Sequence, residues 1–151
     1  MLSIYKNIDK IIKVLTAFTA NPFDRLRHAL ENNTNEIEDY QKEQFDSGER
    51  SDFSVIEPEY KPITKAIKRR KGQPIDRVTL KDTGAFYKSI TADVLSDEVQ
   101  IYATDRKTKK LVDKYDEGGK LFGLNNESLK SLADETLIPY IAEVLKLDMN
   151  D

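Results

Sequence analysis

The segment 80–103 constrains the fold more than any other, because it combines a turn with two short runs that have the pattern of a β-hairpin. Residues 90–94 alternate between apolar and polar side chains, and residues 99–103 form a second run after the polar break at 96–98. No other stretch predicts a sheet as clearly. The sequence therefore predicts an α+β fold, with a small antiparallel sheet, a central hairpin, long N-terminal helices and a kinked C-terminal helix.

Apolar residues at helical spacing predict helices before the hairpin. Residues 2–20 have the pattern of an amphipathic helix, which we expect to dock against the core rather than lie on a membrane. Asn21 and Pro22 end this helix and begin another, since asparagine is a good cap and proline suits the first helical position. The asparagine-rich segment 32–35 is expected to bend or break that second helix.

Helices are also predicted after the hairpin. Asp105 is placed to cap a short helix, and the glycine pair at 118–119 is placed to end it. Asn125 is the predicted cap of the last helix. Pro139 lacks a backbone donor, so we expect a kink near Glu135.

The length of 151 residues fits a single domain with three parts. Residues 1–45 are the N-terminal helices, and residues 75–151 contain the hairpin and the C-terminal helices. Between them, residues 46–74 have many charges, prolines and glycines and little apolar content, which predicts a mobile charged loop region. A short helix is expected within it, beginning at Pro62.

Composition excludes several kinds of site. The chain has no cysteine, which rules out disulfides, thiolate metal sites and cysteine nucleophiles and fits a reducing cytoplasm. Its sole histidine, His28, cannot form a multi-histidine metal site, and no phosphate-binding glycine loop or calcium loop is present. No run is long enough to cross a membrane, and the N-terminus lacks the features of a signal peptide. We expect no catalytic residue, cofactor, metal or membrane contact.

Charge is distributed unevenly, although the net charge is only −3. Residues 31–59 contain ten acidic and two basic residues, whereas residues 61–81 contain eight basic residues and one acidic residue. These adjacent blocks are either solvated surfaces or complementary patches that steer assembly between copies or with another protein. The candidate interface residues are Lys65, Lys68, Arg69, Arg70, Lys71, Glu36, Glu38, Asp39 and Glu43.

The tripeptide Asp82-Thr83-Gly84, followed by Ala85, matches the catalytic signature of retroviral-type aspartic proteases. Those enzymes pair two subunits so that two carboxylates share one water. Lys81 stands where they have an apolar strand residue, and long helices replace their many short strands. The alternative is a structural turn in which Asp82 or Thr83 accepts backbone donors and Gly84 takes a conformation unfavourable for other residues.

Residues 72–90, the hairpin and the sequence Leu121-Phe122-Gly123-Leu124 before the last helix resemble the virion morphogenesis and tail-completion proteins of tailed bacteriophages. The resemblance covers about half of the chain, from residue 72 to residue 145. The Gly-Gln-Pro and Asp-Thr-Gly variants are similar to those of phages and prophages of gut Bacteroidetes. The chain departs from the family in the connection at residues 115–121, where the usual histidine or tyrosine before glycine and the Arg-Pro pair are absent.

The resemblance implies a structural ring subunit of the phage neck, a head-tail connector or tail-completion protein that joins the portal to the tail. Its partners would be identical copies in a ring, a portal or adaptor protein and tail proteins, and the chain would be made in the host cytoplasm and located in the virion. The basic block would make at most transient, non-specific contact with DNA. Two alternatives stay open: a homodimeric aspartic protease using the Asp82 turn, and a non-viral helical adaptor module.

Overall fold

A computed structural model describes residues 16, 20 and 22–150 of the chain. It confirms the predicted α+β fold, with helices around one β-hairpin. The predicted helix at residues 2–20 lies almost wholly outside the described residues. The elements are α1 Pro22–Asn32, α2 Thr34–Asp46, α3 Pro62–Arg70, α4 Ala85–Lys88, β1 Ile90–Val94, β2 Val99–Ala103, α5 Thr108–Tyr115, α6 Asn126–Leu132, a π-helical turn Ala133–Leu137 and α7 Ile138–Asn150.

The first two described helices confirm the predicted break in the asparagine-rich segment. Helix α1 begins at Pro22, and the chain leaves the helical path at Asn33 before α2 begins. The side chain of Asn33 donates to the carbonyl oxygen of Ala29 at 2.7 Å, and its backbone N–H donates to Leu30 at 3.1 Å. Asparagine thus satisfies the last carbonyls of α1 at the position where the chain turns.

Strands β1 and β2 form the predicted antiparallel hairpin, with Ile90 opposite Ala103 and Val94 opposite Val99. Ile90 and Ala92 are buried on one side, as the alternation predicts. Helix α2 lies along β1, and the Glu38 carboxylate accepts a hydrogen bond from the backbone N–H of Ala92 at 3.1 Å. This contact covers part of the outer edge of β1, where a strand would otherwise present unpaired donors.

Buried apolar side chains form two clusters. The larger one joins α2, the segment before α3, the hairpin and the segment before α6, and its most buried members are Phe45, Ile56, Val78 and Leu121. The smaller one lies between α1, α2, β1 and α6. The large cluster brings together parts of the chain far apart in sequence, and it supports the site described below.

The region 46–74, predicted to be a mobile charged loop, is anchored to the core by several buried side chains. Ile56 is 1% exposed and Tyr60 is 9% exposed, and both belong to the large cluster. Arg50 is buried as well. The expected helix beginning at Pro62 is present as α3, with proline in its first turn. A region rich in charge and turn residues is therefore held by a few large side chains spaced too widely to give a periodic pattern.

The C-terminal part confirms the predicted cap, and at the position of the predicted kink it has a π-helical turn. Asn125 caps α6, its side chain accepting from the N–H of Ser128 at 2.9 Å. Helical hydrogen bonding changes to π spacing across the turn that contains Glu135, four residues before Pro139. Proline cannot donate the hydrogen bond that would continue the α pattern there.

None of the helices among the described residues is both long enough and apolar enough to span a membrane.

Candidate functional site

A cleft of about 270 Å³ lies between α3 and the turn that precedes α4. Its floor is apolar, and its rim carries lysines and hydroxyl groups. The volume lies just below the range of about 300–1,000 Å³ typical of small-molecule sites, so it suits one or two large side chains better than a cofactor. The apolar lining residues are Tyr60, Ile67, Leu80, Phe86, Leu111 and Tyr115.

Two buried tyrosines hold the wall of the cleft. The backbone N–H of Thr79 donates to the hydroxyl of Tyr60 at 2.9 Å, and the hydroxyl of Tyr87 donates to the carbonyl oxygen of Thr79. Burial is the main cause that raises the pKa of Tyr87, so its hydroxyl stays protonated and can donate. The Thr79 peptide thus makes both of its hydrogen bonds without a partner strand. The next residue, Leu80, has a φ of 57° and directs the chain into the turn.

The Asp82-Thr83-Gly84 turn has the predicted structural form. Gly84 has a φ of 89°, in the region that favours glycine, and precedes the first residue of α4. The hydroxyl of Thr83 lies 3.4 Å from the N–H of Ala85 and accepts from it. The tripeptide therefore reverses the chain between the cleft wall and the hairpin.

The carboxylate of Asp82 lies between two lysines. It accepts a hydrogen bond from Lys71 and another from Lys107 at 3.3 Å. Hydrogen bonds from Lys71 and then from Lys107 lower the pKa of Asp82. A protease dyad needs the oxygens of both carboxyls free to share a proton and a water, whereas the oxygens of Asp82 are taken by two lysine ammonium groups.

Lys68 is not an exposed interface residue, and its place in the predicted interface is a mistake. It is 6% exposed, and its ammonium group donates to the carbonyl oxygen of Lys81 and to the side chain of Gln73 at 3.2 Å. The same group lies 4.7 Å from the centre of the Tyr60 ring. Lys68 therefore fixes α3 to the segment that leads into the turn, by hydrogen bonds and a cation–π contact.

The other predicted basic residues fall into two kinds. Lys65 pairs with Glu59 at 3.0 Å, and Lys71 pairs with the turn carboxylate described above. Arg69 and Arg70 are exposed at the end of α3. These two arginines are the part of the basic block best placed to meet another molecule.

The acidic candidates separate in the same way. The Glu36 carboxylate accepts from Thr136 at 2.7 Å and from Tyr40 at 3.2 Å, and the Glu38 carboxylate meets β1. Both are half-buried and hydrogen-bonded within the fold, so their carboxylates are largely engaged inside the subunit. Asp39 and Glu43 are exposed one turn apart on α2, and Asp39 pairs with Lys42 on the same helix.

Sequence reasoning missed the apolar part of the site. Ile63 is 71% exposed on α3, and Ile67, which also lines the cleft, is 48% exposed. Their spacing of four residues is a sequence signal for one helix face. That signal does not tell whether the face is covered. The cleft itself, which draws residues from three separate segments of the chain, has no local signal.

The described residues contain no group of three or more histidines, aspartates or glutamates that could hold a metal ion. Comparison of the chain with protein-family models, with curated proteins and with solved structures finds no match.

Proposed function

We infer that this chain is a structural ring subunit of a phage neck, acting as a head-tail connector or tail-completion protein between portal and tail. It works by binding, without making or breaking a covalent bond. The resemblance of residues 72–145 to phage virion morphogenesis proteins supplies the context. The observation that supports it most is on helix α3. Its side chains Ile63 and Ile67 are exposed, and the exposed arginines Arg69 and Arg70 follow them at the end of the helix.

Helix α3 exposes Ile63 and Ile67, followed by Arg69 and Arg70. Large apolar side chains beside arginine are enriched in protein interfaces and are costly to leave in water. Because the exposed acidic candidates Asp39 and Glu43 lie on another helix, α2, the subunit has two unlike charged surfaces. A closed ring needs such a heterologous contact, in which one patch meets a different patch on the neighbour.

The site also favours binding over catalysis. Asp82, the one candidate catalytic group, is held ionised between two lysines. The cleft beside it is apolar and small. Contact with DNA, if the ring surrounds a channel, would be transient and would involve the phosphate backbone through Arg69 and Arg70.

The test uses virus particles produced from the genome that encodes the chain. Mass spectrometry of purified particles and electron cryo-microscopy of their necks should detect the chain as a ring between portal and tail. Its absence from every purified particle would refute the proposal. Purified chain mixed with purified portal should also give a complex of larger mass than either alone.

A matched pair of variants tests the role of α3. Arg69→Glu with Arg70→Glu reverses two exposed charges and should lower the yield of complete particles at least tenfold. Lys109→Glu with Lys110→Glu reverses two exposed charges on α5 and should leave the yield within about twofold. Equal yields from both variants would show that the end of α3 does not contact a partner.

The adaptor alternative depends on the same exposed helix face and differs in the partner. A chain that stays monomeric, never joins a portal complex and binds a host protein through α3 would favour the adaptor. The protease alternative predicts peptidase activity that Asp82→Asn abolishes, whereas a structural subunit has no such activity in either form.

A further inference from the structure

We propose that the Phe53 loop of one copy, residues 50–55, inserts into the lysine-rimmed cleft of a second copy, so that identical chains join head to tail. This inference rests on the proposed function, because it names the contact by which the subunits of a ring would join. It assigns a role to an exposed aromatic residue and to an apolar cleft that the fold itself does not explain.

The Phe53 loop projects two apolar side chains from a rigid support. Phe53 is 41% exposed and Val55 is 58% exposed. The buried guanidinium of Arg50 holds the loop from beneath, donating to the carbonyl oxygen of Val55 at 2.6 Å and to the hydroxyl of Ser54 at 3.4 Å. A loop held in this way loses little freedom when it binds.

The backbone at Phe53 is unusual. Its φ is 64°, a left-handed conformation that bulky aromatic residues rarely adopt. The N–H of Phe53 donates to the carbonyl oxygen of Arg50 at 3.0 Å, and the side chain of Asp52 accepts from the N–H of Ser54 at 3.1 Å. The surrounding bonds thus hold an aromatic ring outward where glycine or asparagine would fit more easily. Strained residues of this kind occur preferentially at binding sites.

Charge favours a second copy as the occupant of the cleft. Exposed Glu57 and Glu117 lie close to the Phe53 loop, since Glu57 follows it and the Glu117 carboxylate is 3.6 Å from the Arg50 guanidinium. At the cleft, Lys81 and Lys107 are exposed on the rim.

Each surface also carries one opposite charge. Asp82 pairs with Lys107 at the cleft, and Lys120 pairs with Asp52 in the loop. Acidic groups still outnumber basic ones at the exposed loop, and basic groups outnumber Asp82 at the cleft, so the two surfaces are complementary in net charge. Complementary charges of this kind speed encounter and fix orientation.

Projection and cleft are different surfaces of one chain, so the contact is heterologous. Each copy can give its loop to one neighbour and receive the loop of another. Repetition of the contact gives a ring if the rotation closes and an open chain if it does not.

Two variants separate the halves of the contact. Phe53→Gly removes the ring and suits the local φ, so the loop should keep its shape. Ile67→Arg places a charge at the mouth of the cleft, at a residue that is already half exposed. Ile138→Ala, at an exposed apolar residue of α7, is the control. Urea unfolding of each variant shows that it is folded.

Analytical ultracentrifugation over a range of concentrations measures association. The wild type and Ile138→Ala should associate equally, and each of the other two variants should raise the dissociation constant at least tenfold, because a buried aromatic anchor dominates such contacts. A mixture of Phe53→Gly and Ile67→Arg chains should stop at a heterodimer, since one intact loop and one intact cleft remain.

Undiminished association of folded Phe53→Gly would overturn the inference while leaving the ring proposal intact, since another surface would then join the copies. A wild type that stays monomeric at every concentration would also overturn it. Binding of the apolar probe dodecanoate in the cleft of that monomer would show that a small ligand, and not a second copy, occupies the cleft. Conversely, loss of association in both variants, together with absence of the chain from virus particles, would sustain this contact and refute the neck function.

Discussion

Arg50 donates two hydrogen bonds to the carbonyl oxygen of Tyr115, from Nε at 3.1 Å and from Nη2 at 3.0 Å, across 65 positions of sequence. Arg50 is 4% exposed, so this pair connects the segment before α3 to the end of α5 inside the protein. The same guanidinium supports the Phe53 loop. One buried cation thus links the two parts of the chain on either side of the hairpin.

Replacement of Arg50 should therefore destabilise the whole fold. Arg50→Met keeps much of the side-chain volume but leaves the carbonyl oxygens of Tyr115 and Val55 without their donors. We expect the free energy of unfolding to fall by on the order of 3 kcal/mol, measured by urea denaturation. Arg106→Met, at an exposed arginine, should change it by less than about 0.5 kcal/mol. A similar loss in both variants would contradict the role assigned to Arg50.

The hydroxyl of Tyr60 should matter more than that of a surface tyrosine. Tyr60→Phe leaves the buried N–H of Thr79 unpaired and should lower the free energy of unfolding by about 1–3 kcal/mol. Tyr102→Phe also removes one hydroxyl, but its partner Asp93 is exposed to water, so the loss should stay below about 1 kcal/mol. Thermal and urea unfolding of the two variants give the comparison. Equal losses would show that Thr79 is not held by Tyr60.

Gly84 should tolerate asparagine better than alanine. Its φ of 89° favours glycine, and no atom would obstruct an added Cβ, so the cost of substitution is backbone strain alone. Gly84→Ala should lower the free energy of unfolding by about 1–2 kcal/mol. Gly84→Asn should lower it less, because asparagine occupies this region more readily. If the alanine variant were as stable as the wild type, the turn geometry described for Asp82-Thr83-Gly84 would be wrong.

The pair of lysines around Asp82 gives a defined pH dependence. Because the pKa of Asp82 in the folded protein lies below its usual value of 3.8, the folded form binds a proton less readily than the unfolded form. The stabilisation is therefore fully present above about pH 4 and is lost as the pH falls through the lowered pKa. Asp82 is half exposed, so we expect less than about 1 kcal/mol from it.

Urea denaturation of the wild type and of Asp82→Asn from pH 7 to pH 2 measures this effect. The difference in stability between them should shrink as the pH falls below 4, and added salt at pH 7 should also reduce it. A difference that is constant down to pH 2 would mean that the two lysines do not hold the carboxylate.

Local sequence was sufficient for most of the secondary structure of the described residues, although the short helix α4 was not predicted. The break at Asn33, the start of α3 at Pro62, the hairpin, the cap at Asn125 and the disturbance before Pro139 all follow from the chemistry of a few neighbouring residues. Caps, turns and side-chain periodicity act over one or two turns of chain, which a sequence displays directly.

Tertiary packing decided which charges are available to a partner. The sequence places Lys68, Arg69 and Arg70 together in one basic run, yet Lys68 is buried against Tyr60 while the two arginines face solvent. Glu38 belongs to the acidic block and nevertheless caps a backbone donor of β1, 54 positions away. Hydrogen bonds over such separations depend on how the helices pack around the hairpin, and that packing leaves no local pattern in the chain. The sequence by itself therefore determined the elements and the two charged blocks, whereas only the folded structure determined the cleft, its lysine rim and the exposed Phe53 loop.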